Sequence, residues 1–234
     1  MTYCMADLHG RYREYRQMLE RLNLGDGDRL YLLGDCVDRG PHGIPILLDL
    51  ASRSNAVLLM GNHERTAALL LPFLCDGGTA GLTEWQINAL RQVAGLWLAD
   101  GGRPTLEGYR SLGLAERRRV MELLGRSRCS ALLTVGGQTY HLSHTLPRRV
   151  TRLCDCGELD LTDGEADYSV AYDPAVITVT GHTPTDRIDP RSVGRIWQGN
   201  RHIALDCGAA YGHSLGCICL ETGETYYVET GGRL

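Results

Sequence analysis

Three short apolar runs in the N-terminal part of the chain each end in a polar, glycine-containing motif, and this alternation constrains the fold more than any other feature of the sequence. The runs cover residues 3–6, 30–33 and 56–60. Segments with apolar residues near helical spacing lie between them at 12–24 and 44–51, and a third helix begins over 64–71. This βαβαβ order predicts parallel strand pairing with right-handed crossovers.

The rest of the chain divides into a helical stretch and a strand-rich half. Two helices are predicted near 84–98 and 115–125, with Gly101-Gly102 and Pro104 between them, so we interpret about 76–128 as a helical insertion beside the sheet. Further strands are predicted at 131–135, 139–143, 176–180, 202–206, 215–220 and 225–229. The polar segment 146–174 is predicted to be a surface loop near function. A length of 234 residues fits one domain, 1–234, that includes the insertion.

Residues that can bind metal follow each predicted strand, where parallel sheets place their active sites. The first three motifs are Asp7-Leu8-His9-Gly10, Gly34-Asp35-Cys36-Val37-Asp38-Arg39-Gly40 and Gly61-Asn62-His63-Glu64. Asp7 and Asp35 are 28 residues apart and Asp35 and Asn62 are 27 apart, each about one βα unit with its return strand. His144 and His182 follow later strands. Carboxylate, amide oxygen and imidazole together suit two divalent ions, Mn first, with Fe and Zn as alternatives.

Each motif taken alone is more often an ordinary turn than a metal ligand, because Gly, Asp and Asn favour turns. An isolated histidine after a strand is usually only hydrogen-bonded structure. Independent turns rarely place all these ligand types at successive strand ends, so the conjunction favours a metal site.

These motifs resemble those of the phosphoprotein phosphatases in the calcineurin-like metallophosphoesterase superfamily, especially its small bacterial and phage members. Later segments that match are Ser143-His144, Gly181-His182-Thr183-Pro184-Thr185 and Leu205-Asp206-Cys207-Gly208-Ala209-Ala210-Tyr211-Gly212. The resemblance spans almost the whole chain. It implies an α/β fold with a central β-sandwich of two mixed sheets flanked by helices, in four αββα layers.

The resemblance also implies a role for each site residue. Asp7 and His9 would hold the first metal ion, Asp35 would bridge both ions, and Asn62, His144 and His182 would complete the second site. A bridging hydroxide would attack phosphorus in line. His63 would be the general acid, oriented by Asp38, and Arg39 would bind phosphate oxygens. The family's second phosphate-binding arginine has no clear counterpart here, and the only candidates between the last two metal histidines are Arg148, Arg149 and Arg152.

Three functions remain open. The leading hypothesis is a metal-dependent serine/threonine protein phosphatase acting on a phosphorylated protein or a small phosphomonoester. The alternative enzyme is a symmetrical dinucleoside polyphosphate hydrolase of the diadenosine tetraphosphate type, from a sister group that tends to lack the acidic residue held here by Asp38. The third is a non-catalytic, metal-binding scaffold that keeps the fold.

Composition excludes several other classes. The net charge of −4 argues against nucleic acid as a partner, and the absence of lysine excludes a P-loop NTPase. No apolar stretch suits a membrane span and no signal peptide is visible, so a cytoplasmic, monomeric protein is expected. Nine cysteines, an odd number, favour free thiols. A four-thiolate zinc site built from Cys154, Cys156, Cys217 and Cys219 is the less favoured alternative to core thiols.

Overall fold

Two five-stranded sheets form the centre of the protein in a computed structural model that describes all residues, 1–234. The strands are β1 (Thr2–Met5), β2 (Arg29–Leu33), β3 (Ala56–Leu59), β4 (Ser130–Val135), β5 (Gln138–Ser143), β6 (Val176–Thr180), β7 (Trp197–Gly199), β8 (His202–Ala204), β9 (Ser214–Cys219) and β10 (Thr225–Glu229). The first sheet has the order β10-β9-β1-β2-β3, and the second has the order β4-β5-β6-β8-β7.

Both sheets are mixed, with a parallel centre. In the first sheet β1, β2 and β3 are parallel, with Tyr3 opposite Leu30 and Leu30 opposite Ala56, while β9 and β10 are antiparallel. In the second sheet β5, β6 and β8 are parallel, and β4 and β7 pair antiparallel at the edges. The predicted parallel βαβαβ unit is therefore confirmed.

Helices flank the sheets, which confirms the predicted α/β class. They are α1 (Tyr12–Leu22), α2 (Gly43–Ser52), α3 (Asn62–Cys75), α4 (Glu84–Trp97), α5 (Arg103–Arg110), α6 (Leu114–Arg126), α7 (Glu158–Asp163) and α8 (Thr185–Ile188). Helix α1 shows why they form: it buries Tyr15, Met18, Leu19 and Leu22, which lie on one helical face. It ends at Asn23, which adopts the left-handed conformation common after a helix.

Two cores hold the layers together. One cluster of 31 buried residues joins the outer face of the first sheet to helices α1–α6. A second cluster of 13 lies between the sheets, where Cys4 and Leu33 meet Leu142 and Val179. Because strands of the first sheet are covered on both faces, they are almost continuously apolar rather than alternating.

Three predictions about local structure were wrong. Helix α5 begins at Arg103, within the stretch predicted to separate two helices, because a proline in the first turn lacks only an N–H that the helix does not use. The 146–174 segment contains α7 in addition to loop. Strand β7 was missed; it pairs with β8 through a tight turn in which Asn200 and Arg201 both have positive φ, as a two-residue hairpin requires.

No helix of this protein combines the length and the hydropathy that crossing a bilayer requires. All nine cysteines are free. Cys217 and Cys219 are buried in the cluster between the first sheet and the helices, as predicted for core thiols.

Candidate metal centre

The six predicted ligands lie where strands of both sheets end. Asp7 and His9 follow β1, Asp35 follows β2, and Asn62 is the first residue of α3, directly after β3. From the second sheet, His144 follows β5 and His182 follows β6. The two sheets thus contribute to one rim at the carboxyl ends of their parallel strands.

Asp35 belongs to two groups of candidate ligands. One group is His9, Asp35 and His63, and the other is Asp35, His144 and His182; no cysteine belongs to either. Oδ2 of Asp35 is 3.6 Å from His9 Nε2 and 3.8 Å from His63 Nε2, whereas Oδ1 is 3.4 Å from His144 Nε2. These gaps are wide for a hydrogen bond but fit ligands that share an ion about 2 Å from each.

Hydrogen bonds orient two of the imidazoles for metal binding. His9 Nδ1 lies 3.1 Å from the Val37 carbonyl, and His144 Nδ1 lies 2.7 Å from the Leu33 carbonyl. Donation of Nδ1–H to a carbonyl leaves the Nε2 lone pair directed into the site, as in most histidine–metal centres. His144 Nε2 then faces Asn62 Oδ1 at 3.1 Å and His182 Nδ1 at 3.0 Å, so three electron-pair donors converge. The donor set therefore fits a divalent ion.

Burial controls the protonation of these histidines. It lowers the pKa of His9 to about 3 and that of His182 to about 4, so both imidazoles are neutral and able to bind a cation at pH 7. Burial also lowers the pKa of His144, but the Asp35 charge more than offsets this and raises it to about 10, so this imidazole would release its Nε2 proton when a cation binds. The buried carboxylate thus attracts positive charge to the centre of the site.

Asp7 occupies a different position from the other predicted ligands. Both of its oxygens accept the backbone N–H of His182, at 3.1 and 3.0 Å, and it belongs to neither candidate group. A side chain on Gly181 would overlap Asp7, so only glycine permits this contact between the strand ends of the two sheets. Burial, followed by the Asp206 charge, raises the pKa of Asp7 well above its ordinary value.

The rim is built from left-handed backbone. Nine residues other than glycine have positive φ, and six of them are predicted site residues. These six are Asp7, His9, Asp35, Asp38, Arg39 and His182. Such a conformation turns the chain sharply after each strand and directs the side chain into the site.

Glu64, to which sequence reasoning assigned no role, fixes the Asp35 turn. Its buried carboxylate accepts the backbone N–H groups of Asp35 at 2.6 Å, Cys36 at 2.7 Å and Val37 at 3.2 Å. Burial and the Asp35 charge raise the pKa of Glu64 to about 6 despite these hydrogen bonds. The sequence signal for this role was the position of Glu64 in the third motif, two residues after Asn62.

Asp38 and His63 form a buried pair at the edge of the site. Asp38 Oδ2 lies 2.7 Å from His63 Nδ1, and the same oxygen accepts a 2.6 Å hydrogen bond from the indole N–H of Trp97 at the end of α4. Burial lowers the pKa of His63, but the charge of Asp35 and the bond to Asp38 raise it to about 9. His63 is thus protonated at pH 7.

Arg39 lies over the site. Its Nη1 donates to His9 Nε2 at 2.9 Å, and its Nη2 is 3.2 Å from His63 Nε2. Asp100, from the helical insertion, is 3.7 Å from Arg39 Nη2 and 3.6 Å from His63 Nε2. By contrast, Arg148, Arg149 and Arg152 form no hydrogen bond or ion pair with a site residue, and Arg152 instead pairs with Asp155 at 2.6 Å.

Trp97, which the sequence did not indicate, holds Asp38 in place, and replacing it with phenylalanine should slow the phosphoester hydrolysis that the resemblance implies. The change removes one hydrogen bond to a charged carboxylate, worth about 1.5–3 kcal/mol, so kcat should fall roughly 10- to 100-fold. Steady-state kinetics with metal content measured alongside would check this. Trp85→Phe, at the exposed start of the same helix, is the control and should leave kcat unchanged. Equal activity in Trp97→Phe and wild type would refute the role.

The sequence matches the model of a known protein family. The model of the calcineurin-like phosphoesterases matches residues 2–194. A symmetrical bis(5'-nucleosyl)-tetraphosphatase from Proteus mirabilis is 43% identical over 65 residues, which are 27% of this chain and 24% of that protein. The enzyme of the same name from Coxiella burnetii is 39% identical over 64 residues, 27% of this chain and 22% of that protein. The aligned segment thus spans about a quarter of each curated relative.

Solved structures extend the similarity of the fold to the whole chain. A putative diadenosine tetraphosphatase has a TM-score of 0.64 at 18% identity, with 98% of this chain and 93% of that one covered. A protein serine/threonine phosphatase from Saccharomyces cerevisiae has a TM-score of 0.59 at 11% identity, with 100% and 81% covered. At such identities the likeness concerns the fold alone. Since the family model covers most of the sequence and both candidate ligand groups lie within it, the chain belongs to the calcineurin-like phosphoesterases, a family of metal-dependent enzymes.

Proposed function

We propose that this protein is a two-metal phosphoesterase whose substrate is a dinucleoside oligophosphate, cleaved at a phosphoric anhydride. The observation that carries the chemistry is Asp35, whose two oxygens face separate groups of candidate ligands. The choice of substrate is supported by the symmetrical tetraphosphatases among the relatives.

Each ion would have its own donors and share one carboxylate. Asp7, His9 and Asp35 would hold the first ion, and Asp35, Asn62, His144 and His182 would hold the second. For Asp7 this requires its carboxylate to face the ion as well as the His182 N–H, and for His9 it requires Nε2 to exchange its hydrogen bond from Arg39 for the ion. Two bound ions would activate water and neutralise the charge that develops on phosphorus. Manganese is the ion we propose, because the set mixes carboxylate, amide and imidazole.

The remaining site residues bind the phosphate and supply a proton. Arg39 offers paired N–H groups to the oxygens of the scissile phosphate. The attacking water would release one proton to solvent and bond to phosphorus as the bond to the leaving oxygen breaks, and His63 Nε2 would give its own proton to that oxygen. Asp38 accepts the Nδ1–H of His63 and keeps the ring charged and oriented.

A second candidate function is hydrolysis of phosphoserine or phosphothreonine in proteins, and the Asp38–His63 pair favours it. A serine or threonine alkoxide is a strong base and needs a proton as it leaves, whereas a nucleoside diphosphate leaves readily as an anion. A general acid held at 2.7 Å from a buried carboxylate therefore benefits ester cleavage more.

A side-by-side assay separates the candidates. The manganese-loaded protein is given diadenosine tetraphosphate and a phosphothreonine peptide, and kcat/KM is measured for each. We expect the dinucleotide to be preferred at least tenfold. Preference for the peptide would establish the second candidate instead, and no turnover of either substrate with both ions bound would leave the scaffold hypothesis.

A further inference from the structure

Two arginines share one tyrosine ring beside the metal centre. The guanidinium carbon of Arg187 lies 5.8 Å from the centroid of the Tyr211 ring, and that of Arg233 lies 5.6 Å from it. Both distances fall within the range of cation–π attraction. Two positive charges therefore lie within cation–π distance of the Tyr211 ring.

Neither arginine has an acidic partner. The protein has two other arginine–tyrosine stacks, and in each the arginine also pairs with a carboxylate: Arg117 with Asp76 at 2.8 Å, and Arg195 with Glu229 at 3.2 Å. Arg187 and Arg233 form no ion pair within 4.0 Å and donate no side-chain hydrogen bond. Both arginines line the same hollow, so an anion bound there would be attracted by two positive charges that no ion pair neutralises.

Backbone contacts hold the two segments that carry these arginines beside Tyr211. Arg187 belongs to α8, which begins three residues after His182. Arg233 lies on the turn at Gly212, whose φ of +90° and missing side chain allow the two segments to touch. The next residue donates its N–H to the carbonyl of Ala210 at 3.0 Å. The two backbone positions are thus set by the fold, and the cation–π contacts with Tyr211 orient the side chains.

The pair lies on a path that leads to Arg39. Arg39, Tyr211 and Arg233 line one groove of about 410 Å³, and Tyr211, Arg233 and Arg187 line the adjoining hollow of about 270 Å³. Arg187 also lines a pocket with the metal-ligand candidate His182. One acidic residue faces each space, Asp100 in the groove and Asp186 in the hollow, so positive charge prevails along the path.

We infer that Arg187 and Arg233, stacked on Tyr211, bind the phosphates of an oligophosphate chain that lie beyond the scissile one held by Arg39. This inference rests on the proposed function and specifies how its substrate is recognised. A phosphopeptide offers a single phosphate, which leaves this subsite empty. The chemical class is therefore a linear chain of several phosphates, with or without nucleosides.

Binding of inorganic tripolyphosphate tests the subsite without turnover. Calorimetry is run on the full chain with chelator present, for wild type, Arg187→Gln, Arg233→Gln and the double variant. Since each charge-assisted contact is worth at least tenfold in affinity, we expect about tenfold weaker binding for each single change and about a hundredfold for the double. Arg195→Gln, from a stack that has its own carboxylate, is the matched control and should bind like wild type. Equal binding by the double variant, or equal weakening in the control, would overturn the inference.

Kinetics of the manganese-loaded protein separate this inference from the proposed function. With diadenosine tetraphosphate, the single variants Arg187→Gln and Arg233→Gln should each raise KM about tenfold. Their kcat/KM for a simple aryl phosphate should stay unchanged. A wild type that binds tripolyphosphate through these arginines but does not hydrolyse the dinucleotide would remove the proposed function and keep the subsite. A wild type that hydrolyses it, with KM unchanged in the variants, would remove the subsite and keep the function.

Discussion

Replacing His63 with asparagine is expected to lower kcat by about 10²- to 10⁴-fold, the usual contribution of a general acid. Asparagine can still donate a hydrogen bond to Asp38, which His63 contacts at 2.7 Å, but it has no proton to give to the leaving oxygen. The effect should be larger for a phosphothreonine peptide than for diadenosine tetraphosphate, because the alkoxide is the poorer leaving group. Turnover of both substrates by the manganese-loaded variant measures this.

Metal content of the same variant decides between two roles for His63. As a general acid, His63 can be replaced without loss of either ion. The geometry also groups it with His9 and Asp35, and if it were a ligand the protein would retain only one ion. Elemental analysis distinguishes the two, with His42→Asn, at an exposed histidine, as the control. Unchanged turnover would show that the acid lies elsewhere.

Replacing Asp35 with asparagine is expected to abolish binding of both ions. Losing the partner of a metal ligand typically weakens binding about 10- to 100-fold, and loss of a shared ligand should exceed that at each site. The amide has nearly the same shape but no charge, so the loss reports electrostatics rather than a cavity. Calorimetric titration with Mn²⁺ measures the stoichiometry and both affinities.

The matched control is Asp100→Asn. That carboxylate lies 3.7 Å from Arg39 and 62% of its side chain is exposed, so it shares the neighbourhood without the ligand role. It should keep two ions per chain. Tight retention of either ion by the Asp35 variant would show that this carboxylate is not shared between the sites.

The positions of the candidate site residues at strand ends were largely predictable, because local sequence marks these residues. Asp7, Asp35 and Asn62 each follow an apolar run, and a parallel sheet must bring such strand ends to one edge. His144 and His182 are isolated in the sequence, and only the order of strands in the second sheet brings them within 3.0 Å of each other. Their place after predicted strands made them metal-ligand candidates, and the resemblance supplied their assignment to the second ion.

The residues around that rim could not be predicted, since nothing near them in sequence marks them. Trp97 has the pattern of an apolar face on an amphipathic helix, and only the path of the insertion brings its N–H to Asp38, 59 residues away. Arg187 and Arg233 are ordinary surface residues until the Tyr211 turn brings them together. Helix α5 was missed for a simpler reason: Pro104 can begin a helix as readily as it can separate two.

The left-handed conformation of six residues at the rim lowers the stability of the fold while it places their side chains in the candidate site. Each such conformation costs a side-chain-bearing residue about 1–3 kcal/mol, somewhat less for aspartate and histidine, and the net stability of a domain is only about 5–15 kcal/mol. Replacing Asp38 or Arg39 with glycine would relax the chain, but it would remove the carboxylate that contacts His63 or the guanidinium proposed to bind phosphate. A search for heat-tolerant variants that ignores catalysis should therefore accumulate inactive proteins mutated at these turns. The sequence thus retains residues that reduce the stability of the fold because the proposed activity requires their side chains.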